Sequence, residues 1–193
     1  MTRKPEAAVD PLFIERWSPR AFESTPVAPE ALASIFEAAR WAPSCFNEQP
    51  WLFLYATTPA ERARFAALLV EKNRAWAADA PVIAFALARK AFARNDKPNR
   101  HAMFDTGAAW MSLTMQARLL GLYTHAMAGI DVDGIRRELG VPDDYEVICG
   151  IVIGHRADPA TLEPERRAAE QPNGRKPLAE VAIEGGFPGS ARK

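Results

Sequence analysis

Arg16-Trp17-Ser18-Pro19-Arg20 sets two guanidinium groups around a hydroxyl at two-residue spacing. In an extended segment, positions i, i+2 and i+4 share a side, so Arg16, Ser18 and Arg20 can converge on one anion. Arginine pairs with phosphate through a planar fork, and serine adds a neutral donor. A solvated turn carrying two surface arginines is the alternative, and the spacing alone leaves both open. A second group lies in Ala42-Pro43-Ser44-Cys45-Phe46-Asn47-Glu48-Gln49-Pro50-Trp51. It offers a hydroxyl, a thiol and two carboxamides on one short stretch. Carboxamides both donate and accept, which suits the edge of a heterocycle with mixed hydrogen-bonding groups, such as a flavin pyrimidine. The alternative here is a polar connecting loop.

Other chemistries lack their signatures. There is no G-x-G-x-x-G, no G-x-x-x-x-G-K-[ST] and no G-x-S-x-G, so the glycine-rich phosphate loops and the nucleophile elbow are not supported. His101, His125 and His155 lie far apart and Cys45 and Cys149 stand alone, which gives neither a metal-ligand spacing nor a disulfide framework. Lys plus Arg and Asp plus Glu each number 24 in 193 residues, so the balance argues against a general nucleic-acid binder. No apolar run reaches the ~18 residues of a membrane span, and no apolar h-region follows the N-terminus. The expected compartment is the cytoplasm.

Asp10-Pro11 predicts a short helix to about Arg16, stopped by Ser18-Pro19. Leu32, Ile35, Phe36 and Ala39 predict a helix from Pro29 to Trp41. Trp51–Thr57 reads as a strand. Thr58-Pro59-Ala60-Glu61 opens a helix with Phe65, Leu68 and Leu69 on one face. Pro81–Ala88 is a strand covered on both sides, and residues 89–100 form a basic, mobile surface loop. A helix from Asp105 to Leu120, apolar nearly all round, implies burial on most sides. Asp131 or Asp133 caps a helix ending at Gly140, and Tyr145–Ile153 is the last clear strand. After Gly154 come five prolines and few large apolar residues, a segment unable to form its own core. Helices and three to four strands are interspersed without strict alternation, which predicts one α+β domain over 1–193.

Taken together, R-x-S-x-R-x-F and the following A-A-R-W-A-P-S-x-x-N-x-Q-P-W resemble the FMN-dependent nitroreductase family. Asn73–Pro81, Asp105–Ala117, Met127–Asp131, Gly154-His155-Arg156 and Gly174–Leu178 resemble further family segments in the same order, over about residues 10–182. The resemblance implies a nitroreductase-like mixed sheet flanked by helices, a homodimer with FMN at the subunit interface, and a 155–193 extension wrapping the partner. It implies that Arg16, Trp17, Ser18 and Arg20 hold the phosphate and ribityl chain, with Arg175 returning to the phosphate. Pro43, Ser44, Cys45 and Asn47 would cover the ring from the other subunit. Asn73 would meet the pyrimidine or ribityl side, and the N–H groups of Ala128 and Gly129 would face the flavin N5 and O4. No side chain is implied as nucleophile. The implied activity is ping-pong hydride transfer from NADH or NADPH, through flavin N5, to a nitroaromatic, quinone or similar small acceptor. Relatives of the same fold include reductive dehalogenases and flavin-fragmenting enzymes, and a flavin-binding sensing module is the non-enzymatic alternative. Ala128 departs from the Glu of many relatives, and Asn173 from the Lys of some.

Overall fold

The computed structural model describes residues 3–187; residues 1–2 and 188–193 of the expected domain and tail lie outside the described residues. Four strands form one sheet: β1 (Trp51–Ala56), β2 (Val82–Arg89), β3 (Tyr123–Met127) and β4 (Tyr145–Gly154), in the order β1-β2-β4-β3. The α+β class is as the sequence predicts. The sheet itself, expected as mixed, is antiparallel in all three ladders among the described residues. The reason is topological: β2 and β3 run the same way, as do β1 and β4, and in this order each such pair is separated by a strand that runs the other way.

β2 sits at the centre and organises the core. Its side chains alternate between the two faces, as a strand requires. Ile83, Phe85 and Leu87 pack with Phe65, Trp76 and Ile135 on one side. Val82, Ala84 and Ala86 pack with Leu32, Ile35, Ala109 and Leu113 on the other. The alanines make that second face shallow, and helices α2 (Pro29–Arg40) and α5 (Ala102–Leu119) lie across it. The first face is covered by α3 (Pro59–Ala67), α4 (Glu71–Ala77) and α6 (Val132–Leu139).

Local signals account for most boundaries. The Asp10 carboxylate accepts from Leu12 N at 2.8 Å, and Pro11 opens the helix α1 (Pro11–Glu15). Arg16 is already extended, one residue earlier than expected. Thr58 caps α3 through Glu61 N. Asp131, not Asp133, caps α6, and Gly140 ends it at φ +66°, a left-handed geometry that glycine adopts without strain. α3 stops at Ala67, short of the predicted Leu68 and Leu69. Leu68 O instead accepts from Asp131 N at 2.8 Å, and Leu69 bridges to Ile130, so tertiary pairing ends the helix.

Two segments differ more. Residues 89–100 are not a free loop: Ala91 bridges to Pro98, Phe92 N donates to Lys97 O, and Asn99 is buried. The outer side of α5 is not covered in the single chain, where Phe104 is 79% exposed and Met103, Met111 and Leu119 are also exposed. Beyond β4, Leu162 is buried in the core while α7 (Pro164–Ala168) and α8 (Leu178–Val181) lie on the surface. The tail returns across its own N-terminal segment, through Ala157 N to Ala21 O (3.0 Å) and Leu178 N to the Glu6 carboxylate (3.1 Å).

Candidate active site

The chain leaves α1 extended because Pro19 excludes helix from the residue before it. Trp17 is buried and packs edge-on against Tyr123, with centroids 6.5 Å apart. That anchor points Trp17 into the core and leaves Arg16 and Ser18 together, with Arg16 Nη1 3.5 Å from Ser18 Oγ. Two further arginines join them. Arg3 donates from Nη1 to the carbonyls of Ile14 (2.6 Å) and Arg16 (2.7 Å), and from Nε to Asn173 O (2.9 Å). Arg175 follows two residues later, held by its own donation to Gly174 O (2.8 Å). Burial lowers the Arg16 pKa first, and the positive charges of Arg175 and Arg3 lower it further. Among the described residues none of Arg3, Arg16, Arg20 or Arg175 has a carboxylate within ion-pair distance. Three mutually repelling guanidinium groups without a counter-charge are an arrangement that an anion would stabilise.

Arg20 lines a neighbouring cleft of about 770 Å3 together with Lys72, Asn73, Trp76 and Arg166, and with the carboxylates of Glu163 and Glu165. The Asn73 carboxamide donates to Gly129 O at 3.0 Å, and Val70 N donates to the same oxygen. A Cβ on Gly129 would stand 2.6 Å from Asn73 Nδ2 and from Val70 Cγ2, so a side chain there would displace Asn73 or Val70. Neither the Ala128 nor the Gly129 N–H donates to another protein group among the described residues, which leaves two unpaired backbone donors beside the cleft. The loop between Arg16 and Arg20 is pinned from below: His125 Nδ1 donates to Pro19 O at 2.7 Å, and its ring packs on Trp76 at 4.6 Å. Burial is the main cause that lowers the His125 pKa, so the neutral ring serves as the donor. From the tail, Glu170 accepts from the N–H groups of Arg20 (2.8 Å) and Ala21 (3.0 Å).

The 43–50 loop stands apart from this group. Its hydrogen bonds run inward, to α5 and to the 89–100 segment: Ser44 Oγ accepts from Gln49 N (3.0 Å), Cys45 N donates to Asp105 (3.0 Å), a buried carboxylate, and Glu48 accepts from Ala93 N (2.6 Å). Phe46, Asn47 and Gln49 all have positive φ. Pro43, Ser44, Cys45 and Asn47 therefore lie on a rigid turn, and the Asn47 carboxamide makes no hydrogen bond among the described residues.

The structure thus brings Arg16, Ser18 and Arg175 together, and Arg20 with Asn73 and Gly129. It does not bring Pro43–Asn47 to them within one chain. Arg3, Asp105, His125 and Glu170 were not singled out in the sequence as site residues. No period or motif marks Arg3 in its irregular arm, and Glu170 sits in the proline-rich tail. Asp105 alone carries a signal, a carboxylate at the head of an apolar helix. No group of three or more metal-ligating side chains occurs among the described residues, and no helix among them is long and apolar enough to cross a membrane.

Comparison with known proteins converges on one family. The profile of the "Nitroreductase family" matches residues 14–75 and 67–155. A protein of Streptomyces coelicolor named "Putative NADH dehydrogenase/NAD(P)H nitroreductase" is 30% identical over 190 residues, covering 89% of this chain and 94% of its own length. One of the same name from Leptothrix cholodnii is 33% identical over 180 residues, covering 81% and 89%. A solved structure described as "the oxidoreductase containing FMN" superposes with a TM-score of 0.93 at 44% identity, over 97% of both chains. A nitroreductase family protein of Clostridium difficile, 24% identical over 91% of this chain and 97% of its own, shares the fold with a TM-score of 0.71. The match runs from the end of α1 through β4, across the arginine pair, the 43–50 loop and the Asn73–Gly129 contact, and the chain belongs to the nitroreductase family.

Proposed function

We propose that this protein is an FMN-dependent NAD(P)H oxidoreductase, working as a homodimer on small acceptors such as nitroaromatics or quinones. The observation that carries the reading is the convergence of Arg3, Arg16 and Arg175 without a counter-charge, next to the Asn73–Gly129 contact. The first group suits a phosphate. The second leaves amide donors beside a cleft large enough for a ring. Bound there, FMN would supply two-electron hydride acceptance and donation, which no side chain offers.

The chain's own residues bind and orient. Arg16, Ser18 and Arg175 take the phosphate, with Arg3 setting the positions of Arg16 and Asn173. Arg20 and Lys72 place positive charge beside the cleft, which Glu163 and Glu165 also line, and a cation at the ring edge would favour the gain of negative charge on reduction. Asn73 holds the 128–129 turn so that its N–H groups stay available to the ring edge. Pro43, Ser44, Cys45 and Asn47 cover the site from a second subunit and exclude water. The exposed apolar stripe of α5, Met103, Phe104, Met111 and Leu119, supports that second subunit, because such a stripe marks an interface.

An absorbance spectrum of the purified protein, followed by steady-state NADH and NADPH oxidation with an added acceptor, tests the reading. Flavin bands, release of FMN on heating, and acceptor-dependent turnover are expected. Flavin without turnover would make the protein a flavin-binding sensor. A colourless protein that fails to take up FMN would overturn the proposal.

A further inference from the structure

Four non-glycine residues have a positive φ among the described residues: Phe46 (55°), Asn47 (57°), Gln49 (52°) and Asp96 (54°). Three lie in the 43–50 loop and the fourth in the 89–100 segment, and these two segments touch. The Phe46 and Phe92 rings meet edge to face, with centroids 5.9 Å apart and planes at 73°. The Arg94 guanidinium lies 3.9 Å from the Phe46 centroid and 5.4 Å from that of Phe92. One Glu48 oxygen accepts from Ala93 N at 2.6 Å and ties the two backbones together. Backbone strain of this kind persists only where the surroundings over-determine it, and it clusters at ligand clamps.

Core packing does not explain what the strained turn achieves, because it holds Phe46 outward, 70% exposed. Arg94 covers one face of that ring. A stacked guanidinium keeps its in-plane N–H groups free, and Arg94 makes no ion pair or hydrogen bond among the described residues. The neighbouring charges do not cancel it. Arg89 lies 3.6 Å from Asp144 and 4.0 Å from Asp96, while Lys90, Lys97 and Arg100 add positive charge nearby. The Glu48 carboxylate, which ties the two segments, is engaged on Ala93 N.

We propose that Phe46, Phe92 and Arg94 form a clamp for a planar aromatic ring bearing an anionic substituent. The ring lies against the phenylalanines and the carboxylate or phosphate pairs with Arg94. The clamp sits on the loop assigned to cover the partner's flavin, so the electron acceptors it selects are anionic aromatics. That last step rests on the function proposed above; the binding does not.

The test is calorimetric titration of the purified protein with naphthoate and with its neutral isostere naphthamide, for the wild type, Arg94→Ala and Arg94→Lys. Steady-state kcat/KM for nitrobenzoate and nitrobenzene is measured in parallel. The clamp predicts that the wild type prefers naphthoate by about tenfold, as one charge-assisted contact gives. Arg94→Ala removes that preference, and Arg94→Lys retains part of it. The nitrobenzoate-to-nitrobenzene ratio falls in step. Equal affinity for the two probes in the wild type, or a preference that survives Arg94→Ala, overturns the clamp. The two readings fail separately. A flavin-loaded protein without the preference refutes the clamp alone. A colourless protein that still prefers naphthoate through Arg94 refutes the flavin reading and keeps the clamp.

Discussion

The arginine cluster and the 43–50 loop are built by opposite means. The cluster gathers residues from the N-terminal arm, the end of α1 and the tail, and Arg3 reaches Asn173 across 170 positions of sequence. Its parts are tied by polar contacts at the surface, and its like charges repel until an anion arrives. The loop is local in sequence, carries three positive-φ residues, and hangs from a buried carboxylate at the head of α5. One half of the candidate site therefore depends on its ligand for closure, and the other is rigid beforehand. Preorganisation of one half leaves less ordering to be done on binding.

The largest expected effect falls on the ligand-dependent half. Arg16→Ala should weaken FMN binding by about 100-fold, the loss of a bidentate charged contact, with far less effect on riboflavin, which lacks the phosphate. Fluorescence titration with the two flavins measures it. On the rigid half, Asp105→Ala should leave FMN affinity nearer to normal but lower stability by about 2 kcal/mol, because the Cys45 N–H loses its acceptor. Denaturant unfolding reads this, and Asp105→Asn should cost less.

Arg3→Ala should weaken FMN binding by about tenfold, with Arg3→Lys only partly restoring it, since an ammonium cannot bridge three carbonyls in one plane. Protease cleavage near Asn173 should accelerate in the same variant. A pH effect follows from His125. Its folded pKa is depressed, chiefly by burial, so the unfolded chain binds the extra proton first. Stability is full above about pH 6.5, the ordinary histidine value, and falls as pH drops below it. The fall should be smaller in His125→Gln, measured by Tm against pH. The smallest effect is Asp96→Gly. Asp96 is exposed, and its ion pair with Arg89 is long at 4.0 Å. Release of its positive φ should raise stability by about 0.5 kcal/mol.

What the sequence disclosed follows the same division. The proximity of Arg16 and Ser18 was legible because their spacing is local and the run is extended, whereas Arg20, expected on the same anion, lines the neighbouring cleft. β2 was legible because a strand covered on both faces is apolar throughout. The caps at Asp10, Thr58 and Asp131 were legible from residue types. Arg3 and Glu170 were not, because their partners lie across the fold and no period links them. The strain at Phe46 was hidden for another reason: phenylalanine is not a residue whose type announces a left-handed turn. α5 showed the limit of pattern reading. Its apolar circumference predicts burial, yet a single chain covers only the side carrying Ala109, Leu113 and Ala117. Hydrophobicity states that a face will be covered, not by which chain.

In the proposed function Arg16 and Arg175, positioned by Arg3, form a phosphate site that selects the cofactor. Titrating the flavin-free protein with FMN and with riboflavin tests it most directly. FMN should bind about 100-fold more tightly than riboflavin, with the difference shrinking as salt is added. Equal affinities at low salt would show that the phosphate is not held by Arg16 and Arg175 and would overturn the site.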